Sequence, residues 1–237
     1  MNSVKINVML WNCWNNDYCR KERLDWIFEE ILKKKYPIIL LQQVSNATVV
    51  DLTTELKRQN YYYKVSNLKS RKTFEIIASI WKITNEHFYF FTNSEQQKGL
   101  FVTDINTTVG KITVGCCELE SENPRKQIGQ ITAIQDFFTT KDLWILGCNT
   151  YFPNEYYSVE MNDAWGHEQN KYYYYNYDTE KNVNLQNVEI IEKSRPLRVY
   201  ISDNLTASNF VLKGTEQLNN YYPSAYFGIN VDVNTEL

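Results

Sequence analysis

The fold is decided by residues 4–41, VKINVMLWNCWNNDYCRKERLDWIFEEILKKKYPIILL. Val4 to Trp11 begins with apolar side chains at alternate positions, the period of a strand whose two faces differ. From about Arg20 to Lys35 the period changes. Leu24, Ile27, Phe28, Ile31 and Leu32 recur at helical spacing, and Lys33, Lys34 and Lys35 stand in the last turn, where cations complement the helix dipole. Pro37 closes that helix. Pro37-Ile38-Ile39-Leu40-Leu41 is continuously apolar, as in a strand covered on both faces.

The same reading extends outward along the chain. It predicts a helix over Val49 to Gln59, then strands near Tyr62 to Val65, Glu75 to Trp81, Gly99 to Asn106 and Lys111 to Cys117, the last two forming a hairpin around Gly110. A helix over Gln127 to Phe138 precedes a buried strand over Leu143 to Cys148, and strands follow at Arg198 to Ser202 and Ile229 to Val233. Strand pairs with intervening helices imply an α+β sandwich, two sheets packed face to face with helices outside. No Pro/Gly/Ser linker interrupts the pattern, so one domain over 1–237 is expected. The stretch at about 154–187 is rich in Tyr, Asn and charge and reads as a long irregular excursion.

Composition narrows the function classes. With 237 residues, 43% hydrophobic content, 8 Gly and 5 Pro, a collagen-like or low-complexity chain is excluded. A chain this long buries roughly 70–75% of its unfolded surface, so neither a disulfide framework nor a structural metal is needed. Its five cysteines are odd in number and lack zinc-knuckle spacing, which fits reduced thiols in a nuclear or cytoplasmic protein that is not secreted. Asn46, Asn106 and Asn204 lie in glycosylation sequons, but no secretory apolar segment precedes them and they are read as chance matches. No apolar run reaches the roughly 20 residues of a membrane span, so no membrane partner is expected. The net charge of -3 gives no global attraction to a polyanion, and any contact with DNA must be local.

Five short segments at predicted strand ends carry a family resemblance. They are Leu10-Trp11-Asn12, Leu40-Leu41-Gln42-Gln43-Val44, Glu118-Leu119-Glu120-Ser121, Leu146-Gly147-Cys148-Asn149-Thr150 and Pro223-Ser224-Ala225-Tyr226-Phe227-Gly228. In order and spacing the chain resembles the DNase I-like endonuclease/exonuclease/phosphatase superfamily. Within it the chain looks most like the catalytic domain of tyrosyl-DNA phosphodiesterase type 2, since Asp163-Ala164-Trp165 and Tyr175-Asn176-Tyr177-Asp178-Thr179 also fit. That resemblance implies a four-layer α/β/β/α sandwich of two mixed sheets flanked by helices. It also implies Mg²⁺-dependent phosphodiester hydrolysis, with the metal neutralising the scissile phosphate and a base activating water.

The residues depart from that pattern at most of the implied catalytic positions. Asn12 keeps the family's metal-site asparagine, but Gln43 stands where the family has a metal-binding Glu. Glu118 replaces its His, Asn149 its water-orienting Asp, and Tyr151 an Asn two residues later. Leu197, between Arg195 and Arg198, replaces an Asp, and Ser224-Ala225-Tyr226 replaces Ser-Asp-His. Mg²⁺ is normally held through at least one carboxylate, so the amide at Gln43 removes the main attraction. The Asn149 amide accepts no proton at neutral pH, where general-base assistance is typically worth roughly 10²- to 10⁴-fold. A degenerate site with no metal and no cofactor is the expectation.

Several residues carry two readings. Glu118, with Glu120 nearby, is either part of a relocated metal site with Asn12 or a strand-end carboxylate facing solvent or paired with Arg195 or Arg198; the second is preferred. Cys148 is read as a buried strand residue and not a nucleophile, because only His87 and His167 are available as bases and neither falls in a catalytic motif. Cys116 and Cys117 are expected on opposite faces of one strand. Tyr172, Tyr173, Tyr174, Tyr175 and Tyr177 are candidates for protein contact or base stacking, and the neighbouring Glu168, Asp178 and Glu180 favour protein. Lys69, Arg71, Lys72, Arg125 and Lys126 are candidate nucleic-acid contacts, although a solvated polar loop is the preferred account of each taken singly. The resulting expectation is a catalytically inactive accessory or scaffold subunit of a nuclear DNA-modifying or DNA-repair complex, a DNA methyltransferase assembly among the candidates, with other protein subunits as partners and only weak DNA contact. The alternatives are an active enzyme with a remodelled site using Asn12, Glu118 and Tyr226, and a stand-alone nucleic-acid-binding module.

Overall fold

The computed structural model describes residues 4–66, 71–152, 159–167, 175–185 and 192–235. The chain runs β1 (Val4–Asn12), α1 (Arg20–Lys34), β2 (Ile38–Ser45), α2 (Asn46–Arg58), β3 (Tyr62–Val65), β4 (Thr73–Ser79), β5 (Ile83–Phe90), β6 (Gly99–Thr107), β7 (Gly110–Glu118), α3 (Pro124–Phe138) and β8 (Trp144–Asn149). There follow β9 (Asn162–Asp163), β10 (Tyr177–Asp178), β11 (Lys193–Ser194), β12 (Leu197–Ile201), β13 (Leu205–Lys213) and β14 (Gly228–Thr235). Two six-stranded sheets form, in the orders β13-β14-β1-β2-β4-β3 and β5-β6-β7-β8-β12-β9, with β10-β11 as a separate ribbon.

Each large sheet contains one parallel pair, β1–β2 and β7–β8, and both pairs are joined by a helix, α1 and α3 respectively. A parallel pair needs such a crossover, and it brings the carboxyl ends of both strands to the same edge of the sheet. Alternation then sorts the side chains. Ile6, Val8 and Leu10 point between the sheets with Ile38, Leu40, Val114, Ile145 and Val231, while Met9 and Trp11 point outward to Leu24, Ile27 and Ile31 of α1. On the second sheet Leu100, Cys117, Leu146 and Cys148 pack against Ile131, Ile134 and Phe138 of α3. The layers are therefore helix, sheet, sheet, helix. A side chain at Gly147 would place its Cβ 2.7 Å from Leu40 Cδ1 and 2.8 Å from Leu10 Cδ1, so a residue without one is what lets the sheets approach here.

Cys116 and Cys117 do fall on opposite faces, in the inter-sheet core and against α3. Other expectations need correction. β2 does not end at Leu41 but continues to Ser45, and β4 spans Thr73–Ser79, leaving Trp81 outside it. α2 and α3 begin three residues earlier than the apolar pattern implied, at Asn46 and Pro124, α3 being capped by Asn123 Oδ1 accepting from Lys126 N at 3.2 Å. β5 and β13 were not anticipated at all. Part of the excursion at 154–187 is regular, since Asn162–Asp163 adds an edge strand to the second sheet by pairing with β12. Tyr172, Tyr173, Tyr174 and Lys69 lie outside the described residues. Among the described helices none is long and apolar enough to cross a membrane.

Candidate functional site

The two parallel pairs end side by side, with Asn12 registered on Gln42 and Glu118 on Asn149. Gln42 is wholly buried and joins the sheets, its Nε2 donating to the Cys117 carbonyl at 2.7 Å. One residue on, the pairing of β2 with β4 breaks between Leu41 and Val44, and Gln43 adopts φ 55°. Tyr151 adopts φ 56° just after β8. A left-handed conformation costs a residue with a side chain roughly 1–3 kcal/mol and persists only where the surroundings impose it. Here the two turned residues meet, Gln43 Nε2 donating to the Tyr151 hydroxyl at 3.1 Å.

Glu118 is their common partner. It is 3% exposed, and its Oε1 accepts from Asn12 Nδ2 at 3.0 Å, Gln43 Nε2 at 2.9 Å and the Tyr151 hydroxyl at 2.8 Å. Backbone donors fix which end of each amide faces inward: Trp14 N–H donates to Asn12 Oδ1 at 2.9 Å and Asn15 N–H to Gln43 Oε1 at 3.2 Å. The preferred reading of Glu118 is thus corrected. It neither faces solvent nor pairs with arginine, because Arg195 and Arg198 both bind Asp163 Oδ2, at 2.7 and 2.9 Å. The parallel pairing of β7 with β8 carries the strand end into the cleft instead of into water.

The remaining predicted positions gather at the same place with different roles. Asn149 is buried, and its Oδ1 accepts the Tyr151 N–H at 3.3 Å. Its amide neighbours the Tyr226 hydroxyl, though its Nδ2 makes no hydrogen bond of ordinary geometry. Burial first, and then the nearby Glu118 charge, push the Tyr226 and Tyr151 hydroxyls well above the usual tyrosine range, so both stay protonated donors. Leu197 is fully buried in the inter-sheet core, its backbone clamped by Asn176 through Nδ2 to O at 2.8 Å and N to Oδ1 at 3.1 Å. Ala225 is buried without a polar group to offer, and Ser224 Oγ donates to the Asn12 carbonyl at 2.7 Å. Cys148 lies away from the cluster, its Sγ 3.4 Å from Cys117 Sγ on the α3 side, and His87 is exposed on β5.

Sequence reasoning missed Arg23. Wholly buried, it donates to the carbonyls of Tyr18 at 2.7 Å, Asn16 at 2.8 Å and Pro223 at 3.0 Å, with longer bonds to Cys13 and Trp14. It therefore ties the loop after Asn12 to the loop before Ser224. Burial lowers its pKa to about 10, which leaves it cationic at neutral pH. The signal was present: Arg23 precedes Ile27 and Ile31 by one and two helical turns and shares their inward face.

A groove of 590 Å³ opens beside the cluster, lined by Gln43, Arg71, Lys72, Lys98, Glu118 and Tyr151 among others. The candidate cations are mostly committed. Arg71 is not on a solvated loop but buried, forming two 2.7 Å bonds to Glu75. Lys126 pairs with the Glu95 carboxylate, whereas Lys72 and Arg125 are exposed. Lys98 donates to the Leu119 carbonyl at 2.7 Å and lies 4.8 Å from the Tyr151 ring centre. Among the tyrosines, Tyr177 is half-buried with its ring 5.4 Å from that of Tyr226, and Tyr175 is 40% exposed.

The donor set does not fit Mg²⁺. A hard cation needs several oxygen ligands, but the cluster turns two amide N–H groups and a phenol O–H toward one carboxylate oxygen. Both amide oxygens are already taken by backbone N–H groups. Among the described residues no three or more His, Cys, Asp or Glu converge as a metal cage.

No family model and no curated protein matches the chain. Solved structures do. Truncated Caenorhabditis elegans TDP2 is 20% identical over 97% of both chains with a TM-score of 0.83. D. rerio TDP2 complexed with single strand DNA product is 18% identical over 98% of this chain and 99% of that one, at 0.84. An endonuclease/exonuclease/phosphatase family protein from Bacteroides thetaiotaomicron is 11% identical over 100% of both, at 0.76. At these identities and scores what is shared is the arrangement of two packed mixed sheets between helices, and the chain has the DNase I-like fold of the endonuclease/exonuclease/phosphatase superfamily.

Proposed function

We propose that this chain is a catalytically inactive relative of the metal-dependent phosphodiesterases, acting as a binding scaffold within a larger nuclear assembly that modifies or repairs DNA. The observation that carries the reading is the Glu118 cluster. Asn12, Gln43 and Tyr151 spend their donors on one carboxylate oxygen and leave no set of oxygens for a metal. The position the resemblance assigns to orienting water holds no base either: Asn149 is an amide, and Tyr151 and Tyr226 beside it are held protonated. Protein partners are favoured over DNA as the main contact, because Arg71 and Lys126 are engaged in ion pairs. The D. rerio protein is complexed with single strand DNA product; any residual nucleic-acid contact here, with Lys72 and Arg125 as the exposed candidates, is weak and steeply salt-dependent. A DNA methyltransferase assembly is one candidate for the host complex.

The test is turnover. Purified protein with Mg²⁺ or Mn²⁺ releases no tyrosine from tyrosyl-DNA ends and hydrolyses no simple phosphodiester above the metal-only blank. Turnover that disappears in Gln43→Ala would overturn the proposal.

A further inference from the structure

Among the described residues no cation bonds Glu118, and Arg71, whose charge it feels, is already paired with Glu75. Every hydrogen bond Glu118 makes among the described residues falls on Oε1 and comes from a neutral donor. Oε2 takes no such bond, yet it is not among the buried polar atoms sealed off without a partner, and Glu118 lines the groove. A carboxylate 3% exposed, with one oxygen saturated and the other open to a 590 Å³ groove, is built to receive a hydrogen-bond donor that brings positive charge. Among the described residues the groove's own cations do not bond it. Arg71 is locked to Glu75, and Lys98 turns its ammonium to the Leu119 carbonyl over the Tyr151 ring. Lys72 is exposed along the groove.

The chemistry selects among cations. A metal ion must exchange its water shell for several oxygens, which the inward-facing amide N–H groups deny it. A guanidinium needs one strong acceptor and further acceptors near its plane, since it has five N–H donors in a rigid fork and sheds water more readily than an ammonium. The groove supplies Glu118 Oε2 and, from its other walls, Ser121 and Gln96. Its volume lies within the roughly 300–1,000 Å³ of pockets that hold small ligands, ample for one side chain.

We infer that the groove receives an arginine side chain presented by a partner protein, with Glu118 Oε2 as its anchor. This rests on the scaffold reading above and gives the partner a chemical signature at the position where the fold family keeps its metal. In calorimetry, acetyl-Gly-Arg-Gly-amide binds the wild-type protein saturably and acetyl-Gly-Gln-Gly-amide does not. Glu118→Gln, which keeps shape and an acceptor but loses charge, weakens the arginine peptide roughly tenfold or more, the worth of a charge-assisted hydrogen bond. Ser121→Lys, an exposed change that adds a cation at the groove, weakens it as well.

Equal affinity in Glu118→Gln, or equal binding of the glutamine peptide, overturns the inference. Agmatine binding more tightly than the peptide assigns the site to a small free guanidine and overturns the protein-partner assignment. Absence of peptide binding together with absence of Mg²⁺ binding removes this inference alone, whereas Mg²⁺ binding that displaces the peptide and is lost in Glu118→Ala removes the scaffold reading.

Discussion

Removing the Glu118 carboxylate should destabilise the protein, and the size of the effect follows from its three partners. Asn12 is wholly buried; in Glu118→Ala its Nδ2 loses the bond it makes at 3.0 Å, at a cost of about 1–3 kcal/mol for a buried donor left unsatisfied. Gln43 and Tyr151 border the groove and already bond each other at 3.1 Å. Water replaces their lost acceptor, so each costs about 0.5–1 kcal/mol, toward the lower end of hydrogen-bond values. The sum is about 2–5 kcal/mol, a fall in Tm of several degrees or more, since 1 kcal/mol shifts a chain of this size by roughly 2–4 °C. A metal site behaves oppositely. There, clustered carboxylates repel one another when the ion is removed, so deleting one relieves strain, and added ion stabilises by about 2.7 kcal/mol at 100 times its Kd. The assay is urea or thermal unfolding of wild type and Glu118→Ala, each in EDTA and in excess Mg²⁺. The reasoning fails if the variant is as stable as wild type, or if Mg²⁺ raises the wild-type midpoint.

Arg23→Met fills the same space but leaves the carbonyls of Tyr18, Asn16 and Pro223 without their donor, and should cost about 3 kcal/mol or more in a urea titration; a loss below 1 kcal/mol would show that water substitutes freely for the guanidinium. Stability should also fall on the alkaline side. Burial raises the thiol of Cys13 from 9.0 to about 12 and pushes those of Cys116 and Cys117 upward too. The unfolded chain therefore loses these protons first as the pH rises above 9.0, and unfolding becomes easier up to the folded-state value, by about 1.4 kcal/mol per pH unit for each thiol. Urea midpoints taken on both sides of that window in wild type and Cys13→Ala measure it, the variant showing the shallower decline; equal slopes would contradict the burial argument.

Much of the architecture was legible because its central strands, β1, β2, β7 and β8, are covered on both faces and keep strong apolar patterns. The strands that escaped notice are those whose period is broken. β13 carries inward Leu205 and Ala207, then slips at a bulge between Ser208 and Val211 so that Phe210 faces in. β5 slips between Thr84 and Glu86 around Asn85, which has φ 51°, and as an edge strand it leaves most of its residues exposed. At the site, positions were legible and orientations were not. Strand ends in one sequence motif each could be named, but only the joint register of the two parallel pairs turns Glu118 into the cleft. Arg23 shows the complementary gap, since a charge on an apolar helix face reads as an anomaly until the carbonyls that surround it are assembled from distant loops.

The placement of β1 between β2 and β14 bears on how the molecule is made. Val4 pairs with Thr235, so a ribosome must deliver nearly the entire described polypeptide before β1 meets its antiparallel neighbour. Until then one flank of β1 offers unpaired amides beside Val8 and Leu10, a template for any other extended segment nearby. Nascent copies crowded on one messenger accordingly stay sticky until β14 has emerged, and truncated products lacking β14 should be recovered as aggregates bound to chaperones and not as smaller folded units.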